Sequence, residues 1–239
     1  VRRYVGSKDY INNDEIRYCL WLRDVPANLY RKNNEIMRRL AAVKEMRLKS
    51  TAAPTRAMAD APYKFFSAPQ KEGDCLCIPE VSSERRKYIP MGFLKNGIIA
   101  SNKLLILPDA SIYHFGVLIS NVHMAWTRTV CGRLKSDYQY SGAIVYNNFP
   151  WPIPTEQQKQ RIEQTAQAIL DARALYPDCS LADLYDELTM PPELRKAHQA
   201  NAVMDAYGFT KGTAARTSES ACVAELMKLY QQKASEPEK

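Results

Sequence analysis

The stretch "FPWPIP" at 149–154 places proline at every second position. Proline has no N–H to give to a helix or sheet ladder, so neither element can run through it. It separates two parts of the chain with different punctuation. Before it, "CLCIPEVSS", "KYIPMGFL" and "GIIASNKLLILP" are short apolar runs between turn residues, which predicts strands. After it, helix-start signals take over. Thr155 and Gln158 form a capping box, followed by an apolar stripe at Ile162, Ala166, Ile169 and Leu170. Ser180 and Asp183 repeat the box, "PPELRKAHQANAVMDAY" starts a third helix that Gly208 closes, and "ESACVAELMKLYQQKASE" reads as a fourth. The expected fold class is α+β, with a mixed α/β domain over 1–152 and an all-α domain over 153–239.

Within the mixed part, "VRRYVGSKDYINNDEIRYCLWL" predicts two short strands around a turn at Asn12-Asn13-Asp14. "VPANLYRKNNEIMRRLAAVKEMRLKS" predicts a helix with Leu29, Ile36, Leu40 and Val43 inward. Its other faces carry Arg31, Lys32, Arg38, Arg39, Lys44, Arg47 and Lys49, either solvated or laid along phosphates. "TAAPTRAMADAPYKFFSAPQKEGD" reads as a loop. "IYHFGVLISNVHMAWTRTVC" is apolar nearly all round and predicts a buried helix on which His114 and His123 are packed residues.

The formal net charge of +7 over 239 residues suits a polyanionic partner. No apolar run is long enough to cross a bilayer, and no signal peptide is present, so a cytoplasmic location without membrane contact is expected. The six cysteines and three histidines show no zinc spacing and read as reduced, mostly buried thiols beside packed imidazoles. No glycine-rich phosphate loop, nucleophile elbow or nuclease motif occurs. Asn147-Asn148-Phe149-Pro150 only superficially matches an Asn-Pro-Pro-Tyr box, in the wrong order. No catalytic residue and no metal site is therefore assigned.

The sharpest clue is "GRLKSDYQYSGAIVYNNFPWP" from Gly132. Arg133, Lys135, Asp137 and Gln139 alternate, and on one strand they would project to the same side. Such a face is often just a solvated exterior. Yet a lysine donates to O6 and N7 of guanine, and an aspartate accepts from the cytosine amine, so Lys135 and Asp137 suit the two halves of one G·C pair. "SSERRK" at 82–87 gathers Arg85, Arg86 and Lys87 with two hydroxyls, as a phosphate clamp or an ordinary charged loop.

"SSERRKYIPMGFL", "PDASIYHFGVLISNVHMAWTRTVCGRLKSDYQYS", "IVYNNFPWP" and "SLADLYDELTMPPELRKAHQ" resemble the C-terminal region of MmeI-like DNA methyltransferases, which include the type IIL restriction–modification enzymes. The resemblance covers roughly residues 5 to 208. It implies a target-recognition domain over 1–152 and a helical C-terminal domain after it. It also implies double-stranded DNA as partner and an upstream methyltransferase domain on the same polypeptide. No cofactor is implied for this chain itself, and S-adenosylmethionine is implied for the parent enzyme, an adenine-N6 methyltransferase that flips its target base. In that family the stretch after Cys-Gly-Arg-Leu helps set the recognised base pair. Carried over by position, the base readers are Lys135 and Asp137, with Gln139 and Lys103 as a second pair. The phosphate contacts fall to Arg85, Arg86, Lys87, Arg133 and Ser136. The rival expectation is a protein-interaction module that docks through the basic helix and the helical C-terminal part without reading bases.

Overall fold

The computed structural model describes residues 1–67 and 72–235. The loop reading over 68–71 and the end of the last predicted helix therefore lie outside the described residues.

Among the described residues, nine short strands form three sheets of three. β1 (Arg2–Val5), β2 (Arg17–Cys19) and β6 (Ile99–Ala100) make the first, in the order β2-β1-β6. β3 (Cys75–Pro79), β5 (Gly92–Leu94) and β7 (Leu104–Pro108) make the second, with β3 central and antiparallel to both neighbours. β4 (Val81–Ser82), β8 (Gly132–Leu134) and β9 (Asp137–Gln139) make the third, in the order β4-β9-β8. Glu80 alone separates β3 from β4, so the chain changes sheets there. Its carbonyl accepts the Tyr140 amide at 2.7 Å and its own amide donates to the Lys103 carbonyl at 3.1 Å.

The helices of the first half are α1 (Ser7–Asn12), α2 (Ala27–Tyr30), α3 (Asn34–Leu48) and α4 (Ala53–Ala57). The strand pair expected at the N-terminus exists, but α1 stands between its strands. Asn13 takes the left-handed backbone (φ 54°) that closes α1, where Asn and Asp cost least among residues with a side chain. The predicted helix over 27–49 breaks at Asn33, whose side chain accepts the Ile36 amide at 3.1 Å and starts α3 afresh. The expected loop after it opens instead with α4, because Pro54 pre-sets the angles of a first turn. Arg47 does not belong to a basic surface. It is buried, and its guanidinium caps the carbonyls of Met58, Ala61 and Lys64 at 2.8, 2.8 and 2.6 Å.

The apolar segment 112–131 is two helices, α5 (Ile112–Leu118) and α6 (Asn121–Val130), because Ser120 caps the second through the His123 amide. The capping boxes after "FPWPIP" start α7 (Glu156–Ala174) and α8 (Leu181–Tyr185) as expected. α9 (Pro192–Gln199), α10 (Val203–Ala206), α11 (Ala214–Thr217) and α12 (Glu219–Ser235) follow. Among the described residues no helix is long and apolar enough to cross a membrane. Of the cysteines, Cys77, Cys131 and Cys222 are buried and Cys179 is exposed.

One core runs through both halves. Leu76, Ile89, Phe115 and Trp126 from the mixed part pack with Ile162, Leu194 and Leu226 from the helical part, all essentially without solvent contact. Each fully buried side chain of this size contributes roughly 1.5–3 kcal/mol. Gly116 lets α5 lie directly on α7, since a Cβ there would sit 2.9 Å from Ala166 Cβ and from Ile162 Cγ2. The Trp126 indole donates to the Val145 carbonyl at 3.0 Å. Arg173 of α7 donates to the Met91 carbonyl at 2.7 Å and Asn201 to the Gly116 carbonyl at 3.0 Å, so polar ties cross the same seam.

Candidate nucleic-acid interface

The segment expected to be a single strand from Gly132 onward is a hairpin. Leu134 pairs with Asp137, Arg133 with Tyr138 and Gly132 with Gln139, and the turn consists of Lys135 and Ser136. Directly opposed residues share a face in an antiparallel pair. Asp137 and Gln139 therefore lie on one face, as the alternation implies, while Arg133 lies on the other with Tyr138. This corrects the one-sided reading of Arg133, Lys135, Asp137 and Gln139. Lys135 sits at the tip with φ 58°, a left-handed conformation that costs a side-chain-bearing residue about 1 kcal/mol. No Asn-Gly or Asp-Gly marks the turn, which is why the sequence reads as unbroken strand.

A cleft of about 720 Å³ opens between this hairpin, the Ser82–Arg86 segment, α1 and the start of the first sheet. Lys8, Arg17, Arg86 and Lys103 supply positive charge to its lining, with Asp137 among them. Lys103 is mostly exposed and pairs with the half-buried Glu80 at 3.0 Å. Arg17 lies 5.3 Å over the Tyr4 ring and bonds Asp9. Burial pushes the Asp9 carboxyl up, but hydrogen bonds from Arg17 and the Gly6 amide outweigh it and hold the group below its ordinary range. The Asp137 carboxylate accepts the Glu84 amide at 3.2 Å. Arg86 is half-buried, which lowers its pKa, although Asp137 and Asp186 oppose the shift. Its Nε is buried and has no hydrogen-bond partner among the described residues.

Of the predicted residues, Lys103, Arg86 and Asp137 meet in this cleft. Gln139 does not line the cleft itself, but its backbone pairs with Val81, which does, and the Glu80 backbone links Tyr140 to Lys103. Lys135 and Ser136 are exposed at the hairpin tip. Arg133 is held within its own hairpin, its guanidinium 4.1 Å over Tyr138 and 3.1 Å from the Ser136 carbonyl. Arg85 reaches Asp186 at 3.5 Å and remains 65% exposed. Lys87 is exposed and contributes a carbonyl to Arg128. Sequence reasoning passed over Lys8, Arg17 and Asn102, which also line the cleft. Nothing local marks them, since more than 100 residues of chain lie between Arg17 and the hairpin.

His114 and His123 are packed, as expected. His123 is fully buried against the Tyr140 hydroxyl at 2.9 Å, and burial lowers its pKa to about 3. Among the described residues no group of three His, Cys, Asp or Glu side chains is placed to hold a metal ion.

The family model for the MmeI target recognition domain matches residues 1–153, and that for the MmeI C-terminal domain matches residues 154–236. The chain belongs to the MmeI family. The MmeI fold is also seen directly in a solved structure, that of the type IIL restriction–modification enzyme MmeI in complex with DNA. It superimposes with a TM-score of 0.92 at 47% identity, over 98% of this chain and 31% of that one. DNA methyltransferase A of Bacillus subtilis (strain 168) is 40% identical over 198 residues, which is 83% of this chain and 22% of the relative. The chain thus spans less than a third of either protein.

Proposed function

We propose that this MmeI-family chain reads a sequence in double-stranded DNA on behalf of a methyltransferase domain that precedes it on the same polypeptide. Residues 1–152 form the reading part, and the C-terminal domain from 153 onward supports it. The observation that carries the proposal is the cationic cleft holding Lys103, Arg86 and Asp137 together, with Lys135 exposed at the adjoining tip. Lys135 and Asp137 address one base pair, and Gln139 and Lys103 a second. Arg85, Arg86 and Lys87, with Arg133 and Ser136 at the hairpin, face the phosphates. A full-length parent methylates adenine N6 with S-adenosylmethionine. By the family resemblance, that cofactor is held by the upstream methyltransferase domain.

Duplex binding by the 239-residue chain tests this. The affinity falls steeply between 50 and 200 mM salt as counterions return to the phosphates. Binding that is absent at low salt, or indifferent to salt, contradicts it.

A second reading concerns α3 alone. Only Leu40 and Arg47 of this 15-residue helix are buried, while Met37, Met46 and Leu48 are exposed among its cations. Met37 and Leu48, about three turns apart, share one side of the helix, and that side suits a protein partner. Substituting it would abolish complex formation and leave the DNA sequence preference unchanged.

A further inference from the structure

The carboxylate of Asp137 is held from outside its hairpin by the Ser83–Lys87 loop, through the Glu84 amide at 3.2 Å. The loop is turned on itself, with the Arg86 amide donating to the Ser83 carbonyl and the Arg85 amide to the Ser83 hydroxyl. Its further anchors come from α6 and the helical part. Arg85 reaches Asp186, which follows α8, at 3.5 Å. Arg128 of α6 donates to the Lys87 carbonyl at 2.7 Å and to Glu219, the first residue of α12, at 2.8 Å. Tyr88, the next residue, stacks on His198 of α9 with ring centroids 4.0 Å apart. A continuous line of contacts therefore joins α8, α9 and α12 to Asp137.

We propose that Asp186 and Arg128 are positioning residues for base discrimination, holding the Ser83–Lys87 loop and through it the carboxylate of Asp137. This rests on the DNA-reading function above. Arg86 lies within electrostatic reach of two carboxylates, Asp137 and Asp186, and its Nε is unpaired among the described residues. While Asp186 is charged, Arg86 is shared. Without that charge Arg86 has Asp137 to itself, and a carboxylate engaged by a guanidinium has fewer lone pairs left for a base amine. Arg128 acts at the other end of the loop. Its loss frees the Lys87 carbonyl and removes the ion pair with Glu219 of α12.

The signature is loss of preference at one base pair, which weaker folding alone does not produce. Duplexes are selected from a random pool by the wild-type chain and by Asp186→Asn, Asp186→Glu and Arg128→Gln, with thermal melts of each. The wild type enriches a motif. Asp186→Asn and Arg128→Gln lose about tenfold preference at the same single position and keep the others, and Asp186→Glu restores it. If Arg128→Gln does not fold, the two variants at the partly exposed Asp186 decide. An unchanged motif in Asp186→Asn, or a uniform weakening at every position, overturns the positioning role while the DNA-reading function stands. A wild-type chain that enriches nothing overturns both.

Discussion

The chain enters α6 from α5 and leaves it into the β8–β9 hairpin, and these two neighbours are built by opposite rules. α5 has no slack. Phe115, Gly116, Val117 and Leu118 are all buried, and the missing side chain of Gly116 sets how near α7 approaches. In the hairpin every residue of β8 is exposed, Tyr138 is the buried anchor of β9, and the tip residue sits in a left-handed conformation. Substitutions at the tip cost the core nothing, while substitutions at the helix seam cost it directly. If the hairpin reads bases as proposed, its tip can vary without endangering the scaffold that carries it.

The largest expected effect is on the scaffold side. Trp126→Ala removes a fully buried indole and its hydrogen bond, and lowers stability by about 3–5 kcal/mol in denaturant titrations. Leu134→Ala, in the hairpin and 53% exposed, shifts the same midpoint by less than about 0.5 kcal/mol. Equal losses would erase the contrast. Next comes Gly116→Val, whose added carbons meet Ile162 and Ala166. Overpacking of this kind costs about 1–3 kcal/mol.

The third prediction concerns pH. His123 has a folded pKa of about 3, because burial disfavours its charged form. The unfolded chain titrates near the ordinary 6.5 and so binds more protons between the two values. The stability from keeping His123 neutral is complete above about 6.5 and is lost as pH falls toward 3, by up to about 1.4 kcal/mol per pH unit. His198, with its pKa also depressed by burial, adds in the same direction. Unfolding midpoints between pH 7 and 4.5 check this, and His123→Gln flattens the slope.

The smallest effect has the opposite sign. Lys135→Gly relieves about 1 kcal/mol of left-handed strain at the tip and gives back about 0.5 kcal/mol in chain entropy. The variant is therefore slightly more stable, yet it loses sequence preference. A gain in stability with preference intact would mean that the strained lysine has no reading role.

The same contrast decides what was legible in the sequence. The helical part could be read because its signals are local: Thr155 with Gln158 and Ser180 with Asp183 announce helix starts within four residues, and the stripe from Ile162 to Ile169 announces the buried face. The hairpin is hidden because its turn, Lys135-Ser136, carries no Asn-Gly or Asp-Gly signal, so alternation alone suggests one strand. The break between α5 and α6 at Ser120-Asn121 is hidden by the long apolar runs that precede and follow it. Of the site, the charged side chains were visible one by one and the family resemblance marked which to favour. Their convergence was not visible, because Lys8 and Arg17 join Asp137 only through the sheet pairing of β1 with β6 and of β4 with β9. Arg47 shows the converse: a cation that looks like surface in sequence is consumed by three backbone carbonyls.

The most direct test exchanges the charges at the tip. Random-pool selection with Lys135→Glu combined with Asp137→Arg should yield a motif that differs from that of the wild-type chain at one base pair and matches it elsewhere. An identical motif from the two proteins would show that these side chains do not address the bases.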